Sequence, residues 1–234
     1  MPQNKLQRFA DIKTFENVLE RPPNMTGQWH TVFKNNNPIT LELACGKGEY
    51  TIGLGQLYPN KNFIGVDIKG NRLWVGAKYA LAEKLANIAF LRTEIEVINQ
   101  YFAEGEVSEI WITFPDPQLR NSKAKKRLTH PHFLRLYQHV LKDKGVIHLK
   151  TDSPLLYAFT KHVIELFELN LLQDIDDVYA ATAIHPTLTI KTYYEGLDIA
   201  KSNKVHYLSF MIDKPLDKAK DTFIKEWCYE ETAN

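Results

Sequence analysis

A short apolar stretch, Leu41-Glu42-Leu43-Ala44, runs without a break into Cys45-Gly46-Lys47-Gly48-Glu49. Few folds accommodate that junction. Glycine lacks a Cβ and tolerates positive φ, so Gly46 and Gly48 let backbone pass close to a ligand at the end of a strand. A second apolar stretch, Asn62-Phe63-Ile64-Gly65-Val66, then ends in Asp67, 21 residues after Gly46. A glycine loop after one strand and a carboxylate at the end of the next is the layout of a nucleoside site in an α/β sheet, where the carboxylate accepts hydrogen bonds from ribose.

The alternation continues along the chain. Residues 39–43, 63–66, 88–91, 110–114 and 146–149 read as strands, separated by apolar stripes at helical spacing such as Leu73, Trp74, Ala77, Ala80, Leu81 and Leu85. Gly145 reads as the terminator of the helix that precedes the fifth strand. Residues 188–194 and 205–212 read as two further strands with no helix between them, an antiparallel pair at the sheet edge. The pattern predicts a mostly parallel seven-stranded sheet with helices on both faces. Residues 1–37 read as an N-terminal arm docked through Trp29 and Phe33, residues 38–213 as the domain, and residues 214–234 as a tail helix.

Composition narrows the function by what it withholds. Two cysteines in 234 residues exclude a disulfide framework and a cysteine-rich zinc site. His130 and His132 lack partner ligands at metal spacing, so no metal is expected. No apolar run reaches membrane-span length and the N-terminus shows no apolar leader, so a cytoplasmic protein away from membranes is expected. The net charge is only +1, yet Arg120, Lys123, Lys125, Lys126 and Arg127 form a cationic run uninterrupted by acid. It starts four residues after Asp116, which sits between prolines in Phe114-Pro115-Asp116-Pro117.

The expected strand ends therefore gather Gly46, Gly48, Asp67, Glu94, Asp116 and Asp152, with Glu42 inside the first strand. A dinucleotide loop wants a third glycine where Thr51 stands, and Glu49 would face a phosphate. A Walker loop wants Ser or Thr after Gly-Lys, but Gly48 follows Lys47. A cofactor without phosphate fits better, and S-adenosyl-L-methionine has none. Asp67 would take its ribose, Glu94 would lie near adenine, and Glu42 and Asp116 would serve the cationic end. The cationic run beside this edge points to a polyanion as substrate. A nicotinamide-dependent oxidoreductase, a methyltransferase for another RNA or a small molecule, and a non-catalytic RNA-binding protein remain as alternatives.

Glu42-Leu43-Ala44-Cys45-Gly46-Lys47-Gly48, Phe63-Ile64-Gly65-Val66-Asp67, Phe114-Pro115-Asp116-Pro117, Lys125-Lys126-Arg127-Leu128-Thr129, Lys150-Thr151-Asp152 and Thr192-Tyr193-Tyr194-Glu195 stand in this order. The ordered set resembles the bacterial tRNA (guanine-N7)-methyltransferases of the class I, Rossmann-like methyltransferase fold. The resemblance implies S-adenosyl-L-methionine as cofactor and transfer of its methyl group to N7 of a variable-loop guanine in tRNA. It implies cofactor contacts at Glu42, Asp67, Glu94 and Asp116, and substrate contacts at Arg120, Asp152, Thr192, Tyr193, Tyr194 and Glu195. Asp116 and Asp152 are the expected catalytic pair. Asp152 and Glu195 are expected to accept hydrogen bonds from the N1–H and N2–H edge of guanine, which adenine cannot offer. Arg120, Lys123, Lys125, Lys126 and Arg127 are expected to grip tRNA phosphates. Tyr193 or Tyr194 would stack on the base or pack on a strand face. The sequence departs from the family at Gln118, where Trp is usual, at Leu119, Asn121 and Ser122, which dilute the cationic run, and at Glu94, where Asp is common. The resemblance leaves monomer and homodimer both open.

Overall fold

The computed structural model describes residues 2–197 and 201–230. Met1 and residues 198–200 and 231–234, over which the arm, domain and tail expectations also run, lie outside the described residues. In chain order the elements are α1 (Pro2–Asp11), β1 (Val18–Glu20), α2 (Trp29–Phe33), β2 (Ile39–Leu43), α3 (Glu49–Leu57), β3 (Asn62–Asp67), α4 (Gly70–Ala82), β4 (Ile88–Arg92), β5 (Val107–Thr113), α5 (Pro131–Val140), β6 (Leu141–Thr151), α6 (Pro154–Leu166), β7 (Asn170–Ile175), α7 (Pro186–Thr189), β8 (His206–Met211) and α8 (Asp221–Glu230). The sheet order is β1-β4-β3-β2-β5-β6-β8-β7. β6 with β8 and β7 with β8 are antiparallel, and the other pairs are parallel.

β2 and β3 are buried along their whole length, as central strands covered on both faces must be. Ile64 and Val66 face one apolar layer with Leu41, Leu43, Trp29 and Tyr137, while Phe63 faces a second with Tyr50, Leu73, Phe90 and Trp111. Helix starts are chemically marked. Ser153 accepts from the Leu156 N–H ahead of α6, His130 accepts from the His132 N–H ahead of α5, and each helix has proline in its first turn.

Three expectations change. Six of the seven expected strands are present, as β2–β6 and β8; the seventh forms at Asn170–Ile175 (β7) instead of 188–194, and the arm adds an eighth, β1, alongside β4. The arm is anchored as expected by Trp29, which is fully buried, stacks on Phe102 with centroids 5.1 Å apart and donates from Nε1 to the Tyr101 carbonyl.

The antiparallel edge pair is β7 with β8, whereas residues 188–194 form no strand. Their apolar residues pack on α3 instead: a Cβ on Gly53 would sit 2.8 Å from Ile190. Gly145 lies inside β6 and does not end a helix; the left-handed residue there is Lys144, at φ 59°. A Cβ at Gly145 would come within 2.9 Å of the Lys142 carbonyl oxygen, so close backbone approach requires this glycine.

The tail forms α8. Ile224 and Cys228 are buried and Trp227 stacks on His162, while Phe223 is exposed.

Candidate active site at the carboxyl ends of the strands

β4, β3, β2, β5 and β6 are consecutive parallel neighbours, so their carboxyl ends share one edge of the sheet. Glu42 is next to last in β2, Asp67 closes β3, Glu94 follows β4, Asp116 follows β5 and Asp152 follows β6 directly. The topology thus gathers the five carboxylates at one edge, though in different states. Glu42 and Asp67 are buried, whereas Glu94 and Asp116 are exposed.

The loop between β2 and α3 turns through three left-handed residues, Ala44 (φ 57°), Gly46 (φ 58°) and Gly48 (φ 75°). Asp67 ties it to β3: the Gly46 N–H donates to Asp67 Oδ2 at 2.9 Å, and the Lys69 N–H donates to Oδ1 at 2.7 Å. Each oxygen keeps a lone pair for a ligand hydroxyl. Phe90 fills the space behind the loop. A Cβ at Gly48, Gly65 or Gly76 would lie 2.5, 2.8 or 2.9 Å from its ring, respectively.

Glu42 reaches from β2 to the start of α3. Its Oε2 accepts from both the backbone N–H and the hydroxyl of Thr51, and Oε1 accepts from the Thr113 hydroxyl at 2.7 Å. Burial is the main cause that raises its carboxyl from 4.5 to about 7, against the lowering effect of these donors. A raised carboxyl costs stability as pH increases. Below about pH 4.5 both folded and unfolded forms hold the proton; between there and about 7 the unfolded chain releases it first. Glu42→Gln mimics the protonated form, donating to Thr113 and accepting from Thr51. Relative to wild type, the variant should gain unfolding free energy between pH 5 and pH 8, by at most about 3 kcal/mol. His130 and His148, each lowered to about 4 mainly by burial, impose the opposite slope in acid, but they contribute equally to both proteins and cancel in the comparison. Urea unfolding at the two pH values tests this, and a gap that does not change with pH contradicts it.

The Pro-Asp-Pro turn is flanked by Phe114 at φ 45° and Gln118 at φ 49°, both non-glycine residues in left-handed conformation. Asp116 Oδ1 accepts from the Gln118 N–H at 3.0 Å. Such conformations persist only where the surroundings enforce them. Arg127 supplies that support. Its Nε donates to the Pro117 carbonyl and its Nη2 to the Gln118 carbonyl, each at 3.3 Å, while Nη1 meets Cys228 Sγ of α8 and the guanidinium lies over Phe159. Arg127 is fully buried and presents nothing to a phosphate, which corrects its expected RNA role. Arg120, Lys123, Lys125 and Lys126 are exposed.

Glu195 also differs from expectation. Its Oε2 accepts from Lys150 Nζ at 3.1 Å and from the Thr192 N–H at 3.4 Å, and its Oε1 accepts from the Tyr179 hydroxyl. The Glu195 N–H returns to the Thr192 hydroxyl at 3.1 Å, closing a local ring of hydrogen bonds. Both oxygens are thus committed within the protein, away from a guanine edge. Tyr193 is exposed beneath the Lys47 ammonium, 3.4 Å from its ring centroid, and Tyr194 lies against Gly46. The Asp152 backbone carbonyl accepts from the Ser202 hydroxyl at 2.8 Å. Glu94 pairs with Arg21, which follows β1. Thr51, Thr113, Arg21, Tyr179 and Lys150 have no motif of their own; only Lys150, within Lys150-Thr151-Asp152, carried a sequence signal.

Among the described residues, no group of three or more His, Cys, Asp or Glu side chains is placed to hold a metal ion, and no helix is long and apolar enough to cross a membrane.

Comparison with known proteins agrees with this architecture. A family model described as "Putative methyltransferase" matches residues 36–208. The crystal structure of the 16S rRNA (adenine(1408)-N(1))-methyltransferase from Catenulisporales acidiphilia shares the fold at TM-score 0.58 and 13% identity, covering 81% of this chain and 94% of that one. The tRNA (guanine-N(7)-)-methyltransferase of Porphyromonas gingivalis (strain ATCC BAA-308 / W83) is 52% identical over 82% of this chain and 78% of its own. That of Bacteroides fragilis (strain YCH46) is 47% identical over 91% of this chain and 87% of its own. Identity at that level over most of both chains makes this chain a member of the tRNA (guanine-N(7)-)-methyltransferase family.

Proposed function

We propose that this chain is a cytoplasmic S-adenosyl-L-methionine-dependent enzyme that methylates N7 of a guanine in tRNA, with residues 38–213 as the catalytic body, the arm bracing one sheet edge and the tail bracing the Pro-Asp-Pro turn. The observation that carries the reading is the left-handed glycine loop tied to the buried Asp67, with Glu49 in the first turn of α3. That cradle admits a nucleoside and repels a phosphate, so the residues present fit this cofactor. Bound there, S-adenosyl-L-methionine supplies an electrophilic methyl group on a sulfonium. Asp67 holds the ribose through its remaining lone pairs, Gly46 and Gly48 admit the close approach, and Glu94 with Arg21 borders the adenine side. Glu42 supports the methionine end indirectly, by fixing Thr51 and the loop.

Guanine N7 carries a lone pair and no proton, so the chain need not supply a general base. Its task is alignment of the two reactants. Asp116, held on its strained turn, aligns the methyl donor and the base. Asp152 accepts from the N1–H and N2–H edge of guanine. Thr192 and Glu195 shape the roof of the cleft, with Tyr193 and Tyr194 at its tip. Arg120, Lys123, Lys125 and Lys126 grip phosphates. The direct test incubates the protein with labelled methyl donor and unmodified tRNA, then identifies the modified nucleoside after digestion. N7-methylguanosine is expected, and a different methylated nucleoside rejects the assignment.

The exposed lysines make a separate claim. Replacing Lys123, Lys125 and Lys126 together by alanine should weaken tRNA binding and reduce the slope of log K against log salt by about 2 to 3. A slope equal to wild type removes these lysines from the docking surface.

A further inference from the structure

Lys150 lies in β6 with its side chain wholly buried, and it does not approach the cofactor or the phosphates in the reading above. Its ammonium has three donors. They meet the Leu188 carbonyl at 2.9 Å, the Ile190 carbonyl at 3.0 Å and Glu195 Oε2 at 3.1 Å, with the Tyr179 hydroxyl farther off at 3.4 Å. The Tyr50, Phe114 and Tyr179 rings surround it, with centroids 5.5 to 5.6 Å away. The three nearest partners belong to residues 188–195, which contain no strand. A sheet ladder would satisfy those carbonyls in a strand; here a single buried cation does so.

The same segment is held at its start by the Tyr50 hydroxyl, which donates to the Thr187 carbonyl at 2.5 Å. It is held at its end by the Thr192 and Glu195 ring of hydrogen bonds. Between these anchors Tyr193 and Tyr194 form the tip, and their rings meet edge to face at 5.6 Å. The tip is held more lightly. Tyr194 Cε2 lies 3.5 Å from the position of a Cβ on Gly46, and the Arg72 guanidinium stands 5.2 Å from its ring centroid. Gly46 is bonded to Asp67, and Arg72 is in the first turn of α4 that follows it. Tyr194 therefore sits over the cleft between the ends of β2 and β3.

We propose that Lys150 is a positioning residue: it pins the 188–195 segment to the sheet so that the Tyr194 ring closes over the nucleoside cleft. The base of this cover is firm because three charge-assisted or backbone hydrogen bonds converge on one buried cation. The tip yields more readily because ring contacts and a single backbone hydrogen bond, from the Leu197 N–H to the Tyr194 carbonyl, hold it. The proposal rests on the assignment of that cleft to the cofactor.

The test is a double-mutant cycle read by calorimetric titration with S-adenosylhomocysteine, with thermal unfolding measured alongside. Tyr194→Ala should raise Kd about tenfold with little change in Tm, since the ring is only half-buried. Lys150→Met should raise Kd at least as much, and the double variant should bind no worse than Lys150→Met alone. Effects that multiply in the double variant, or a Lys150→Met protein with lowered Tm and wild-type Kd, overturn the proposal. Should Lys150→Met fail to fold, Glu195→Gln in the same cycle decides by the same criteria. If the wild-type chain does not bind S-adenosylhomocysteine, the cofactor assignment falls and the cover falls with it. If wild type binds and Tyr194→Ala binds equally well, only the cover falls.

Discussion

Gly76→Ala should weaken S-adenosylhomocysteine binding by at least tenfold, although residue 76 lies on α4 and belongs to no loop. A Cβ at this position would stand 2.4 Å from the carbonyl oxygen of Lys47 and 2.9 Å from Phe90 Cζ. A ring can tilt, but a backbone carbonyl inside a turn cannot rotate away alone. The loop that carries Lys47 is already fixed by Gly46 and Gly48 and by the bond from the Gly46 N–H to Asp67. Either α4 retreats from the sheet or the loop shifts. Overpacking of this kind costs about 1 to 3 kcal/mol, so Tm should fall by several degrees as well. Gly196→Ala is the matched control, because a Cβ there meets nothing within 4 Å and its backbone is not left-handed. Calorimetric titration and thermal unfolding of both variants check the claim. Wild-type affinity in Gly76→Ala would show that the loop tolerates displacement.

Arg127→Met should reduce methylation about 100-fold and lower stability by about 3 kcal/mol, while leaving the salt dependence of tRNA binding as in wild type. The substitution keeps length and apolar contact with Phe159 but strands the Pro117 and Gln118 carbonyls. Those two residues border Asp116, and Gln118 must be held left-handed. Loss of the guanidinium lets the turn relax and moves the carboxylate that aligns the reactants. The neighbouring Lys125 and Lys126 should behave in the opposite way, changing salt dependence without loss of stability. Initial rates with saturating tRNA, urea unfolding and binding at several salt concentrations separate the two patterns. A reduced salt slope in Arg127→Met would return this residue to the RNA surface.

These two residues show where the sequence is readable and where it is not. β2–β6 could be placed because each buried strand is an apolar run bounded by turn residues, and because Gly46, Gly48 and Asp67 keep the spacing of a nucleoside site. β7 was not legible. Its residues Asn170, Leu171, Leu172, Gln173 and Asp174 are all exposed, so no alternation marks a face. Residues 188–194 misled for the converse reason: Leu188 and Ile190 are apolar because they pack against the neighbourhood of α3, not because they pair with a strand. Arg127 cannot be told from Lys125 and Lys126 by residue type; only the packing of α8 and Phe159 around it shows that it points inward. Lys150 and Glu195 hide similarly, because a sequence displays two charges 45 positions apart without showing that each is the other's partner.

The margins of the sheet have a consequence for the chain in a crowded cell. β1 spans three residues, and β7 shifts register between Leu171 and Gln173 while carrying Asn170, Gln173 and Asp174. A foreign segment seeking to zip onto either border finds a template too brief on one flank and interrupted by a register shift on the other. Protection against runaway intermolecular pairing is therefore built into both margins of the sheet.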